Sequence, residues 1–116
     1  MSEEIFQQRM RLGRLFDIYG GLLTEKQYLC LNLYFNDDLS LSEISEELGV
    51  SRQAVHDLLK RVEQTLERYE TKLGLLSREE RDRAKLQTVI DLLAAEDKLS
   101  IKQATEILRG ICGEGR

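Results

Sequence analysis

A chain of 116 residues with 33% charged side chains and a formal net charge of −4 has room for one domain, or one domain with a small appendage. An acidic balance of this size excludes a protein that coats nucleic acid by charge alone. No apolar run is long enough to span a bilayer, and Met1-Ser2-Glu3-Glu4 lacks the character of a signal sequence. The expectation is a soluble, cytoplasmic protein with no membrane insertion.

Composition narrows the fold class. Pro and Trp are absent, Leu, Glu, Arg and Lys dominate, and runs of β-branched or aromatic residues are missing. These residues lose little side-chain freedom in a helix, so an all-α protein is predicted. A chain of this length buries about two thirds of its unfolded surface, enough for a core of its own. Residues 1–61 hold seven basic and ten acidic side chains, net −3, and residues 62–116 hold ten and eleven, net −1. Neither half is a basic tail. Cys30 and Cys112 lie far apart and match no metal-ligand spacing. Cys30 reads as a small buried hydrophobe and Cys112 as a free thiol in the tail.

A first helix is predicted over residues 3–19. Ile5, Leu12, Leu15, Phe16 and Tyr19 make its inner stripe, widened by Phe6 and Met10. Arg9, Arg11 and Arg14 form a basic cluster on it, either a solvated face or a phosphate-binding patch. Gly20-Gly21 breaks the helix. Thr24 and Gln27 form a capping box for a second helix, apolar on most sides through Tyr28, Leu29, Leu31, Leu33 and Phe35, as expected of a central, buried element. Asn36-Asp37-Asp38 is a turn.

Residues 40–61 read as a helix-turn-helix. Ser40 and Glu43 make a capping box, and Leu41, Ile44 and Leu48 share one stripe. Small Ser45 permits close approach of two helices. Gly49 supplies the left-handed conformation that ends the helix, and Val50 tucks under the turn. Ser51 caps the next helix, whose inner face carries Val55, Leu58 and Leu59. Arg52, Gln53, His56, Asp57 and Lys60 share its outer face. Arg and Gln at the start of a second helix suit base edges in a major groove, while an ordinary solvated helix face is polar as well. Residues 51–61 hold Arg52, Lys60 and Arg61 against Asp57, a local net charge of +2. The candidate nucleic-acid-binding residues are Ser51, Arg52, Gln53, His56, Lys60 and Arg61.

This second helix continues to about residue 73, about 33 Å at 1.5 Å per residue. Val62, Leu66, Tyr69 and Leu73 extend a heptad-type seam along it. A helix that long outreaches a three-helix unit, so the seam needs a cover. A second subunit, giving a homodimer, is one candidate. The other is the C-terminal hairpin, through Leu86, Val89, Ile90 and Leu93. Gly74 ends the helix.

Ser77 and Glu80 form a third capping box, opening a helix to about residue 95 with Ala84, Leu86, Val89, Ile90, Leu92 and Leu93 inward. After a loop at Glu96–Leu99, Ser100 caps a last helix with Ile101, Ala104, Ile107, Leu108 and Ile111 inward, and Gly113–Arg116 is a loose end. The predicted organisation is an N-terminal helix plus helix-turn-helix unit over residues 1–76, and a C-terminal helical hairpin over residues 77–116 packed on the same core.

Catalytic patterns are missing. His56 is the single histidine, so no Ser or Cys has a base to activate it. No Gly-rich phosphate loop is present. Asp37 and Asp38 are explained by their turn. The chain reads as a non-enzyme with no catalytic residues, no metal site and no cofactor.

Residues 23–66 resemble domain four of bacterial sigma factors through LLTEKQYLCLNLYF, LSLSEISEELGVSRQAV and the long helix ending LLKRVEQTL. Together with RLFDIYGGLLTEKQ before them and the C-terminal hairpin, the chain resembles the YlxM family of small bacterial proteins over nearly its whole length. That resemblance implies a DNA-binding regulator with a link to the signal recognition particle pathway. One departure matters: Asp37, Asp38, Glu43, Glu46 and Glu47 occupy the region that lies near the phosphates in sigma-type domains. Carboxylates beside phosphates repel, so a single subunit should bind DNA weakly. The other reading is an accessory protein of the targeting machinery that binds a partner protein or structured RNA of the particle.

Overall fold

The computed structural model describes residues 2–114. Among them are six α-helices, one 3-10 turn and no strand. In chain order they are α1 (Glu3–Tyr19), the 3-10 turn Gly20–Leu22, α2 (Glu25–Phe35), α3 (Leu41–Leu48), α4 (Arg52–Leu73), α5 (Leu75–Ala94) and α6 (Lys98–Glu114). The all-α expectation holds. The chain divides into two compact units, one ending at Leu76 and the other beginning at Ser77.

Local chemistry sets most helix ends. The Ser2 hydroxyl accepts from the Ile5 amide, and Thr24 and Ser40 each close a reciprocal capping box, with Gln27 and Glu43. The Ser51 hydroxyl accepts from the Ala54 amide at 3.0 Å. Gly49 (φ 68°) and Gly74 (φ 63°) end α3 and α4 in the left-handed conformation, where a Cβ would be strained.

In the first unit α4 is the central element, packed by α1, α2 and α3. Val62 and Leu66 lie fully buried in one cluster with Leu12, Leu15, Phe16 and Tyr19 of α1, Leu31 of α2 and Leu76. A second cluster joins Cys30, Ile44 and Val55 under the helix-turn-helix, and Leu58 and Leu59 touch both. Burial pushes the Cys30 thiol up from its ordinary pKa, as expected of a sulfur used for packing.

A polar lock fastens the end of α4 to α1. The Tyr19 hydroxyl donates to Glu70 Oε1 at 2.7 Å. The same carboxylate oxygen accepts from the Leu76 amide at 2.9 Å, and the Tyr19 oxygen accepts from the Leu75 amide at 3.1 Å. Two backbone amides at the start of α5, which have no partner within their own helix, are thereby satisfied by side chains, one 56 residues away in sequence and the other six. Burial, followed by the bond to Glu70, pushes the Tyr19 phenol above its ordinary pKa.

Several expectations are corrected. Val62 and Leu66 offer no seam to a second subunit, because α1 covers them; of that predicted seam Tyr69 is half-buried and Leu73 alone is largely exposed. Ile5, Phe6 and Met10 are exposed, so the buried stripe of α1 starts at Leu12. In α2 only Cys30 and Leu31 are fully buried, while Tyr28 and Leu29 are exposed; α4 takes the central place predicted for α2. The Ser77–Glu80 box does not open α5, which starts at Leu75 because the lock supplies its first caps.

In the second unit, residues 95–97 connect α5 and α6, with Glu96 at φ 60°. Asp97, not Ser100, caps α6: its Oδ1 accepts from the Ser100 amide at 2.7 Å, and that bond holds its carboxyl below the usual range. Val89 and Ala104 are buried as expected, but Leu86, Ile90, Leu93, Ile101 and Leu108 are exposed. Gly113 and Glu114 lie within α6, and the rest of the predicted loose end, Gly115 and Arg116, falls outside the described residues.

Candidate functional site

The helix-turn-helix is built from local bonds. The Val50 amide donates to the Ser45 carbonyl at 3.1 Å, closing the turn around Gly49, and the Ser45 hydroxyl donates to the Ser42 carbonyl. Val50, Leu41 and Leu48 pack on the Cys30–Ile44–Val55 cluster. Val55 anchors the first turns of α4 from below, so residues around it on the other side of the helix face water. Arg52, Gln53, His56, Asp57, Lys60 and Arg61 are all exposed.

The structure thus brings together the residues predicted to share this face. It adds one bond that composition alone did not suggest. Gln53 Nε2 donates to Asp57 Oδ1 at 3.0 Å, and that oxygen lies 3.6 Å from His56 Nδ1. The signal was present in the spacing, since residues four apart on a helix are neighbours. Asp57 therefore occupies the amide of Gln53 that would otherwise face outward. Ser51 uses its oxygen as an acceptor for Ala54 and keeps its own O–H to donate. The amides at the start of α4 point out of the helix and give this end partial positive charge.

The preceding helix, α3, carries a group of acidic side chains. Glu43 accepts from the Ser40 amide at 3.0 Å, which holds its carboxyl below the usual range and keeps it ionised. Glu46 and Glu47 are exposed beside it. These carboxylates are solvated and uncovered, so they contribute an anionic rim to whatever approaches α3.

Two of the arginines of α1, Arg9 and Arg11, remain partly exposed but reach partners on other segments. Arg11 clamps Glu67 of α4 through two bonds of 2.8 Å, and the Glu67 carboxyl is held low chiefly by that pairing. Arg9 lies over the Tyr34 ring, 4.5 Å from its centroid, and 3.6 Å from Asp38. Arg9 and Arg11 thereby tie α1 to its neighbours.

Residues 6–107 match the UPF0122 family, described as "helix-turn-helix protein, YlxM / p13 like". The chain belongs to this family. A UPF0122 protein of Desulforamulus reducens is 46% identical over 101 residues, covering 87% of this chain and 86% of the relative. One from Bacillus mycoides is 47% identical over 109 residues, covering 90% and 96%. Another, from Bacillus thuringiensis, is 52% identical over 89 residues, covering 74% and 81%. The match reaches from the outer face of α1 to α6, so family membership extends over both units and not only over the motif. No helix among the described residues is long and apolar enough to cross a membrane.

Proposed function

We propose that this UPF0122 protein is a DNA-binding regulator of helix-turn-helix type and no enzyme. The N-terminal turns of α4 enter the major groove, with Arg52, Gln53, His56 and Lys60 at base edges and Ser51 and Arg61 on phosphates. The observation that carries this reading is the exposed face of α4, held rigid by the Ser51 cap and the left-handed turn at Gly49. Arg and Gln offer bidentate patterns that suit guanine and adenine. A single subunit binds weakly, because Glu43, Glu46 and Glu47 repel the backbone. A place in the signal recognition particle pathway belongs to this proposal and rests on the likeness to the YlxM family.

Those same carboxylates, and the hold of Asp57 on Gln53, favour a second reading: an accessory protein of the targeting machinery whose partner is a protein or structured RNA. Fluorescence anisotropy with mixed-sequence duplexes across a salt series separates the two. DNA binding should fall steeply with salt, and Arg61→Ala, which removes a phosphate contact, should lower the slope by about 1. Absence of any duplex binding at low salt, with a partner retained from nuclease-treated lysate, would replace the first reading by the second.

A further inference from the structure

Beyond Arg61 the buried side of α4 is made by Val62, Leu66 and Glu70, but the helix has an outer side as well. Arg61, Arg68 and Lys72 stand on it in one line, at i, i+7 and i+11. At 1.5 Å per residue the line is about 16 Å long. All three side chains are exposed, and among the described residues none of them makes an ion pair. Gln64, Thr65 and Thr71 fill the places between them, and no carboxylate does. The acids of this half, Glu63, Glu67 and Glu70, recur on another side, where Arg11 holds Glu67 and Tyr19 holds Glu70.

A chain with 21 acidic and 17 basic side chains thus carries a row of cations with no acid among them. Packing does not account for it. Arg68 and Lys72 are four residues apart and repel each other on the helix surface. A cation in the last turn meets the negative end of the helix, which explains Lys72 but neither Arg61 nor Arg68. Arg68 is steadied by a bond to Thr65 Oγ1 at 3.2 Å, and Thr65 keeps its own O–H to donate. Guanidinium, ammonium, hydroxyl and amide side chains in one row are the groups that bind phosphate oxygens. A row this long matches a polymer with an anion at every step, as a nucleic-acid strand has about every 3.4 Å. A lipid surface would call for apolar side chains to insert between the cations, and the row holds none.

We propose that the outer side of α4 from Arg61 to Lys72 is a phosphate track. It carries the backbone of duplex DNA onward from the base-reading turns, whatever the base sequence. The proposal rests on the reading of α4 as a DNA-binding helix and gives it a second contact that is independent of sequence. Arg61 belongs to both, so Arg68 and Lys72 carry the test.

That test is fluorescence anisotropy on the full chain with a long mixed-sequence duplex across a salt series. Arg68→Ala and Lys72→Ala should each lower the salt slope by about 1, and together by about 2. Arg68→Glu with Lys72→Glu should weaken binding at least about tenfold at low salt. Both residues are exposed, so circular dichroism should show the fold intact. Preference among sequences should stay that of the wild type. Arg52→Ala with Gln53→Ala should do the reverse, removing the preference and keeping the share of the slope that Arg68 and Lys72 supply. The two readings therefore fail separately: duplex binding without sequence preference sinks base reading alone. A slope unchanged in the alanine variants, or an affinity unchanged by the charge reversal, overturns the track alone. So does tighter binding to polyglutamate or to vesicles of anionic lipid than to the duplex. No duplex binding at low salt overturns both. If the charge-reversal variant unfolds, the alanine slopes decide alone.

Discussion

The two halves of α4 belong to one continuous helix but work against different surroundings. Up to Arg61, Val55 alone is fully buried, and the polar residues around it face water. Beyond Arg61, Val62, Leu66 and Glu70 are buried in turn, under α1 and beside the start of α5. The first half is anchored from one side and displays the other. The second half is a structural spine whose Val62, Leu66 and buried Glu70 carboxylate are consumed inside the unit. A long amphipathic helix is thus no sign of a dimer by itself; the cover can come from an earlier segment of the same chain.

The largest effect that would sharpen this contrast is expected at Leu66. Leu66→Ala removes a fully buried side chain from the α1–α4 core and should cost about 2–5 kcal/mol, read from chemical denaturation. A loss below about 0.5 kcal/mol would mean that the far half of α4 is not the spine described here.

Next comes the polar lock. Tyr19→Phe keeps the ring and removes the donor to Glu70, and should destabilise by about 1–3 kcal/mol. The raised Tyr19 pKa gives this lock a pH signature. A phenol that binds its proton more tightly when folded contributes stability fully below the ordinary value near 10, and loses it as pH rises through the folded value. The variant should therefore be less sensitive to alkali than the wild type.

A smaller effect belongs to the Arg11–Glu67 clamp, whose partners are both partly exposed. Arg11→Ala should cost no more than about 1 kcal/mol. Glu67 has a depressed folded pKa, so its contribution is present above the ordinary carboxylate value and fades as pH falls through the folded one. The stability difference between wild type and variant should shrink on that side, and a gap that is constant with pH would remove the pairing from the account.

The smallest effects on stability should arise in the first half of α4. Arg52→Ala combined with Gln53→Ala should change stability by no more than about 0.5 kcal/mol while abolishing any sequence preference in duplex binding. Asp57→Ala removes an anion and releases Gln53, so duplex affinity should rise. Preserved preference in the double variant would take this half out of the reading role and leave the two halves alike.

Local features were legible from residue order: the caps at Thr24, Ser40 and Ser51, the left-handed stops at Gly49 and Gly74, and the full extent of α4. Each depends on atoms within one helical turn, where sequence neighbours are also spatial neighbours. The outer face of α4 was legible for the same reason, because Val55 fixes which side is in. Tertiary structure alone decided what covers the seam, since a stripe at helical spacing states that a face is apolar and not what lies against it. It also decided the start of α5. The box at Ser77 was locally sound, but Tyr19 and Glu70, 51 residues apart, deliver the caps two residues earlier. Arg9 and Arg11 of α1 followed the same rule: their partners Glu67, Tyr34 and Asp38 lie on other segments, and only the folded chain brings them within reach.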